Sequence, residues 1–157
     1  MENTVPQNVC NQRRIVVPAP ANTAFHFFTP LGEELWIDEW RPRYVYPPDG
    51  KATAGMVFTT GEGPEFTIWQ LLEFDPGRRH SRYVRATPAS RTGTVSIQAT
   101  PLDPGHAEIL VRYDMTALHA DAAASLEQYR DPAFGRMMDD WQARIRQRLP
   151  QLLEAFS

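Results

Sequence analysis

Apolar and polar residues alternate with a period of two through the middle of the chain. Val95, Ile97 and Ala99 alternate with Thr94, Ser96 and Gln98. Ala107, Ile109, Val111, Tyr113 and Met115 alternate with His106, Glu108, Arg112 and Asp114, and Leu110 is the one exception. Such a pattern predicts strands with one buried face and one wet face. The same alternation, interrupted by turn residues, predicts strands over Arg43–Tyr46, Met56–Thr60, Phe66–Phe74, Ser81–Ala86, Thr92–Thr100 and His106–Met115. Between them lie Pro47-Pro48-Asp49-Gly50, Gly61-Glu62-Gly63-Pro64, Asp75-Pro76-Gly77 and Asp103-Pro104-Gly105. Short strands joined by such turns form an antiparallel meander.

The period changes at both ends. Arg13–Val17 reads as a further strand because Ile15, Val16 and Val17 are β-branched, and Pro18 and Pro20 end it. Ala21–Phe28 predicts a short helix with Phe25 and Phe28 on one face. Thr29-Pro30 then supplies a capping hydroxyl and a first-turn proline for a second helix. That helix is expected to run to about Trp40, where Pro42 stops it. Beyond Asp131-Pro132, read as another cap and first-turn proline, Phe134, Met138, Trp141, Ile145, Leu149, Leu152 and Phe156 recur every three or four residues. This is the stripe of one long helix, kinked where Pro150 cannot bond the Arg146 carbonyl. Ala120–Tyr129 fits a shorter helix or an ordered loop equally well. The expected class is α+β: an antiparallel sheet of six to seven strands, two short helices after the first strand, and a long C-terminal helix.

Composition narrows the setting. The chain has 157 residues, 42% of them hydrophobic, which suits one domain with one core. Residues 13–157 are expected to form it and residues 1–12 a loosely held polar tail. The net charge of −3 gives no field for nucleic acid, and no segment is apolar enough for membrane insertion. The tail lacks the charged start and apolar stretch of a signal peptide, and Cys10 is the single cysteine; a cytoplasmic location is expected. His26, His80, His106 and His119 lack ligand spacing, and no phosphate-binding loop or nucleophile elbow occurs, so neither metal nor cofactor is expected. The oligomeric state stays open, a homodimer included.

Several residues together resemble the START/Bet v 1-like (SRPBCC) superfamily, in particular its bacterial polyketide cyclase and Hsp90-ATPase-activator-like members. They are Pro20 with Phe25, Thr29-Pro30 with Trp36 and Trp40, Gly55-Met56-Val57-Phe58, Trp69 with Asp75-Pro76, Tyr113, and Trp141. The resemblance spans Arg13 to Phe156. It implies the helix-grip fold, in which a curved sheet wraps the terminal helix and leaves an apolar cavity.

On that expectation the candidate ligand-binding residues are Trp36, Trp40, Phe58, Trp69, Tyr83, Arg85, Tyr113, Met138 and Trp141. Each aromatic could equally be plain core. Trp36 and Trp40, four apart on a helix, would share one face and close the cavity as a lid. Phe58, Trp69 and Tyr83 on successive strands would form an aromatic wall. Arg85 shares the parity of Tyr83, and could hold a ligand carboxylate near the mouth. Glu73 shares the parity of Trp69, which makes it a candidate acid or base if buried. Glu33, Glu34, Asp38 and Glu39 read as a wet acidic helix.

The first functional expectation is the binding, transport or sequestration of a small apolar or aromatic, lipid-like or polyketide-like molecule. A second is a cyclase, dehydratase or hydrolase acting on such a molecule, with Glu73, Tyr83, Arg85 and Tyr113 as candidates and no catalytic residue assigned. A third, from the Hsp90-activator resemblance, is a protein-interaction module with exposed tryptophan.

Overall fold

A computed structural model describes residues 7–157. Seven antiparallel strands form one curved sheet: β1 (Asn8–Val17), β2 (Arg43–Tyr46), β3 (Val57–Thr60), β4 (Thr67–Asp75), β5 (His80–Thr87), β6 (Arg91–Asp103) and β7 (His106–Ala117). Their spatial order is β1-β7-β6-β5-β4-β3-β2. Two short helices, α1 (Ala21–Phe25) and α2 (Pro30–Glu33), follow β1 with a 3-10 turn between them, and α3 (Ala133–Gln147) and α4 (Leu149–Phe156) end the chain. This is the helix-grip fold. A 3-10 segment over Ala120–Tyr129 settles the ambiguous stretch.

The predicted alternation holds where it is strictest. Val95, Ile97, Ala99, Ala107, Ile109, Val111, Tyr113 and Met115 are all buried. Phe134, Met138 and Ile145 of α3 are buried with them, while Trp141 is half-buried. The Tyr113 ring lies 5.6 Å from Phe134 and 6.5 Å from Trp141, which fixes α3 on the concave side of the sheet.

Four local expectations need correction. The first strand begins at Asn8, because residues 8–12 of the expected tail pair with Arg112–Thr116 of β7; residues 1–6 of that tail lie outside the described residues. The second helix stops at Glu33. Beyond it the chain runs in tight turns through Trp36 to Trp40, since the Trp36 indole is buried in the core while the half-buried Trp40 packs elsewhere, and local propensity yields to that packing. Asp131 caps no helix; its carboxylate pairs with Arg13 of β1. Finally, Pro150 produces a break, not a kink. The last turn of α3 closes with the Arg148 amide donating to Arg144 and Ile145, and Pro150 sits in the first turn of α4, where its missing N–H costs nothing.

The two edges of the sheet differ. On β1 the outward amide of Val16 donates to Gln142 Oε1 of α3 at 2.7 Å. The other edge, β2, has four residues, a register shift between Tyr44 and Tyr46, and Pro47 immediately after it.

Candidate functional site

The concave face is closed by α3 over β1 and β7, and less completely towards β3, β4 and β5. There a cavity of about 200 Å³ remains. Its strand walls follow from register. Phe58 lies opposite Trp69, Trp69 opposite Arg85, Tyr83 opposite Val95, and Val95 opposite Tyr113. All six side chains line the cavity, together with Ile97. Phe58 and Trp69 stack at 5.5 Å, and Tyr83 meets both edge-on at 6.4 and 6.1 Å, so the expected aromatic wall is present. Trp141 enters from α3.

The roof comes from α2 and the turns after it: Pro30, Glu33, Ile37 and Trp40. Thr29 accepts the Gly32 amide at 3.1 Å, as its capping position predicts. Gly32 is required here, because a Cβ would lie 2.2 Å from the His26 carbonyl oxygen. The adjacent Glu33 lines the cavity. Trp40 packs edge-on against Phe58 and Trp69, and its indole N–H donates to the Pro30 carbonyl at 3.0 Å. Trp40 and Arg85 also line the groove outside, so these two residues mark the mouth. The roof segment is tied to the last helices by a two-bond Arg144–Glu39 pair at 2.7 and 2.9 Å and by Arg148–Asp38 at 3.0 Å. The Arg144 hydrogen bonds hold the Glu39 carboxyl down at about 2.

Seven of the nine expected residues therefore meet around one space: Trp40, Phe58, Trp69, Tyr83, Arg85, Tyr113 and Trp141. Trp36 does not. With α2 ending at Glu33, its indole turns into the core, donates to the Phe27 carbonyl at 2.8 Å and packs on Phe28 and Trp141. Met138 is also core, fully buried one turn before Trp141, beyond the cavity wall. Glu73 is exposed and pairs with His80, because an extra residue at Leu72 shifts the β4 register between Leu71 and Glu73 and reverses the parity.

Glu33, read from sequence as part of a wet acidic helix, is the polar residue that pattern missed. It is half-buried, its side chain lines the cavity, and burial pushes its pKa well above the usual carboxylate range. No side chain bonds it among the described residues. The signal available in sequence was the capped turn Thr29-Pro30-Leu31-Gly32, which can direct one of the following glutamates inward.

Tyr83 and Tyr113 are buried, which raises both phenol pKa values; the charge of Glu33 adds to the rise in each, while Arg85 opposes it at Tyr113. The Tyr83 hydroxyl donates to the Phe28 carbonyl at 3.2 Å. The Arg85 guanidinium sits 4.5 Å over the Trp69 ring, and its Nε is buried with no hydrogen-bond partner among the described residues. The space can therefore accept a flat apolar body between aromatic walls and offers separated polar groups at its rim and roof. No two ionisable side chains bond one another inside it.

No protein-family model matches the sequence, and comparison with curated proteins gives no match. Solved structures do share the fold. A structural-genomics target from Thermobifida fusca superposes with a TM-score of 0.65 at 19% identity, covering 87% of this chain and 93% of its own. The Zhui aromatase/cyclase from Streptomyces sp. R1128 gives 0.64 at 13%, covering 91% and 96%. Norcoclaurine synthase from Thalictrum flavum gives 0.63 at 13%, covering 89% and 87%, and has also been solved with dopamine and hydroxybenzaldehyde. At these identities the likeness shows the helix-grip fold alone, from which function does not follow by itself.

Proposed function

We propose that this protein binds a small aromatic molecule in the cavity beneath Trp40. The observation that carries the reading is the continuous wall of Phe58, Trp69 and Tyr83, closed by Trp40 and Trp141, around an otherwise unfilled space. Binding sites are typically concave and mostly apolar with a few placed polar groups, and this one has that character. Its size favours a compact ligand. A cavity of roughly 150 Å³ suffices for benzene, so about 200 Å³ suits one or two fused rings with any substituent reaching the mouth. A long acyl chain or a many-ringed polyketide fits this volume poorly. The Zhui aromatase/cyclase and the synthase solved with two small aromatic compounds lend the reading analogy only.

The enzyme reading is weaker, since the polar groups around the cavity do not contact one another. The interaction-module reading needs exposed tryptophan, whereas Trp36 is buried and Trp40 faces the cavity.

Trp40, Trp69 and Trp141 all line the cavity, so intrinsic fluorescence reports directly on occupancy. Titration with 2-naphthol and 2-naphthoate should perturb the tryptophan emission saturably and raise the melting temperature, because a ligand of the native state stabilises it. Absence of both effects for both compounds refutes the reading. Filling the space with Val95→Phe should abolish the response while the protein stays folded.

A further inference from the structure

Two polar side chains around the cavity lack protein partners, and each points to a different part of a ligand. Arg85 is the first. Its head is held over Trp69, yet none of its N–H groups donates to a side chain or carbonyl among the described residues, and its Nε is buried. A buried donor left without an acceptor is costly. The neighbouring carboxylates do not relieve it. Of the three glutamates along the outer groove, Glu39 is held by Arg144 and Glu65 by Arg91, and Glu62 forms no ion pair with Arg85. Arg85 is thus a cation at the mouth whose donors await an oxygen anion, and a carboxylate is the group its geometry matches best.

Glu33 is the second. Its side chain lines the same cavity from the roof, with no side-chain hydrogen bond among the described residues. Because burial raises its pKa, it keeps its proton more readily than an exposed glutamate. A protonated carboxyl both donates and accepts a hydrogen bond, and it does not repel an anion seated at Arg85 as a second carboxylate would.

Resting on the binding function proposed above, we infer that the ligand is an aromatic carboxylate bearing a second oxygen substituent, its carboxylate held by Arg85 and its hydroxyl or keto oxygen by Glu33. The ring system lies against the wall of Phe58, Trp69 and Tyr83, and the two polar ends are read from different elements, β5 and α2. A ligand lacking either group forgoes one of the two contacts.

The test uses the full-length protein and matched probes, with affinities from tryptophan fluorescence and calorimetry. The carboxylate arm compares 2-naphthoate with its neutral analogue 2-naphthamide. The wild type should favour naphthoate by about ten-fold or more, the usual scale of a charge-assisted bond, and Arg85→Gln should bring the two affinities together. The hydroxyl arm compares 2-naphthoate with 6-hydroxy- or 7-hydroxy-2-naphthoate, whichever binds tighter. The wild type should favour the hydroxylated acid by about two- to ten-fold, the scale of a neutral hydrogen bond. Glu33→Gln, which keeps a donor and an acceptor, should preserve that preference, and Glu33→Leu should erase it while still binding naphthoate. Equal binding of naphthoate and naphthamide by the wild type, or an equal loss of both in Arg85→Gln, overturns the carboxylate assignment. No preference for either hydroxylated acid, or one that survives Glu33→Leu, overturns the Glu33 assignment. If no probe binds even the wild type, it is the binding function itself that fails.

Discussion

The two halves of the concave face obey one alternation rule and end differently. On the β1–β7 side, inward residues such as Ile15, Ile109 and Val111 share one buried core with Phe134, Met138 and Ile145 of α3. On the β3–β5 side, inward Phe58, Trp69 and Arg85 meet a short capped helix and a run of turns, and the space stays open. The difference lies in the cover. A fifteen-residue helix presents a regular row of side chains to a sheet, whereas the roof over the cavity is pinned at its margins by Thr29, Trp40 and two arginine pairs. A sheet face becomes a site where its cover is held at the rim and not packed through.

This contrast can be broken most forcefully on the packed side. Phe134→Ala removes a fully buried ring and should destabilise by about 3–5 kcal/mol in denaturant unfolding. Trp141→Ala deletes a larger side chain, yet should cost less, because the indole is half-buried and already borders open space. A larger loss at Trp141 than at Phe134 would mean the two halves are packed alike.

Glu33 should show an effect of opposite sign. Its pKa is raised in the folded chain by burial, so the folded state holds the proton where the unfolded state has released it. Stability therefore declines as pH climbs from the ordinary carboxylate range towards the raised value, and no penalty applies below that range. Glu33→Met should raise the melting temperature, more at pH 8 than at pH 5, with a gain at pH 8 of about 1–3 kcal/mol, the cost of an unsatisfied buried polar group. A loss of stability at both pH values would assign Glu33 a structural bond instead.

The smallest effect belongs to the roof ties. Arg144→Ala should change stability by under about 1 kcal/mol, since Glu39 is largely solvated and such pairs contribute little. It should nevertheless speed the exchange of 2-naphthoate measured by stopped-flow fluorescence. Because the Glu39 carboxyl is held at about 2, the pair persists through neutral pH and is lost only as pH falls towards that value.

The legible part of this molecule was the part governed by period. Strict alternation in β6 and β7 gave Val95 and Tyr113 their inward positions, and tight turns carried the parity to Phe58, Trp69, Tyr83 and Arg85. A period argument fails where the count changes. The extra residue at Leu72 sent Glu73 outward, and the early end of α2 parted Trp36 from Trp40. Glu33 escaped notice for another reason: its glutamate neighbour and its place near a helix start explain an acidic residue there without any cavity. The fold distinguishes the two glutamates: Glu33 lines the cavity, whereas Glu34 is exposed and accepts the Tyr44 hydroxyl.

The edges of the sheet carry a separate consequence, for behaviour in crowded solution. An open sheet offers free backbone groups at both margins, and a long flat edge recruits strands from other chains. Here each margin is blunted differently. The short β2 is twisted by its register shift and followed at once by two prolines, which have no amide to donate to an incoming strand. The ten-residue β1 spends one outward amide on Gln142, a side chain reaching from α3. Gln142 thus acts as a decoy strand in miniature, and replacing it by alanine would cost little folding energy yet leave a longer stretch of edge open to self-association.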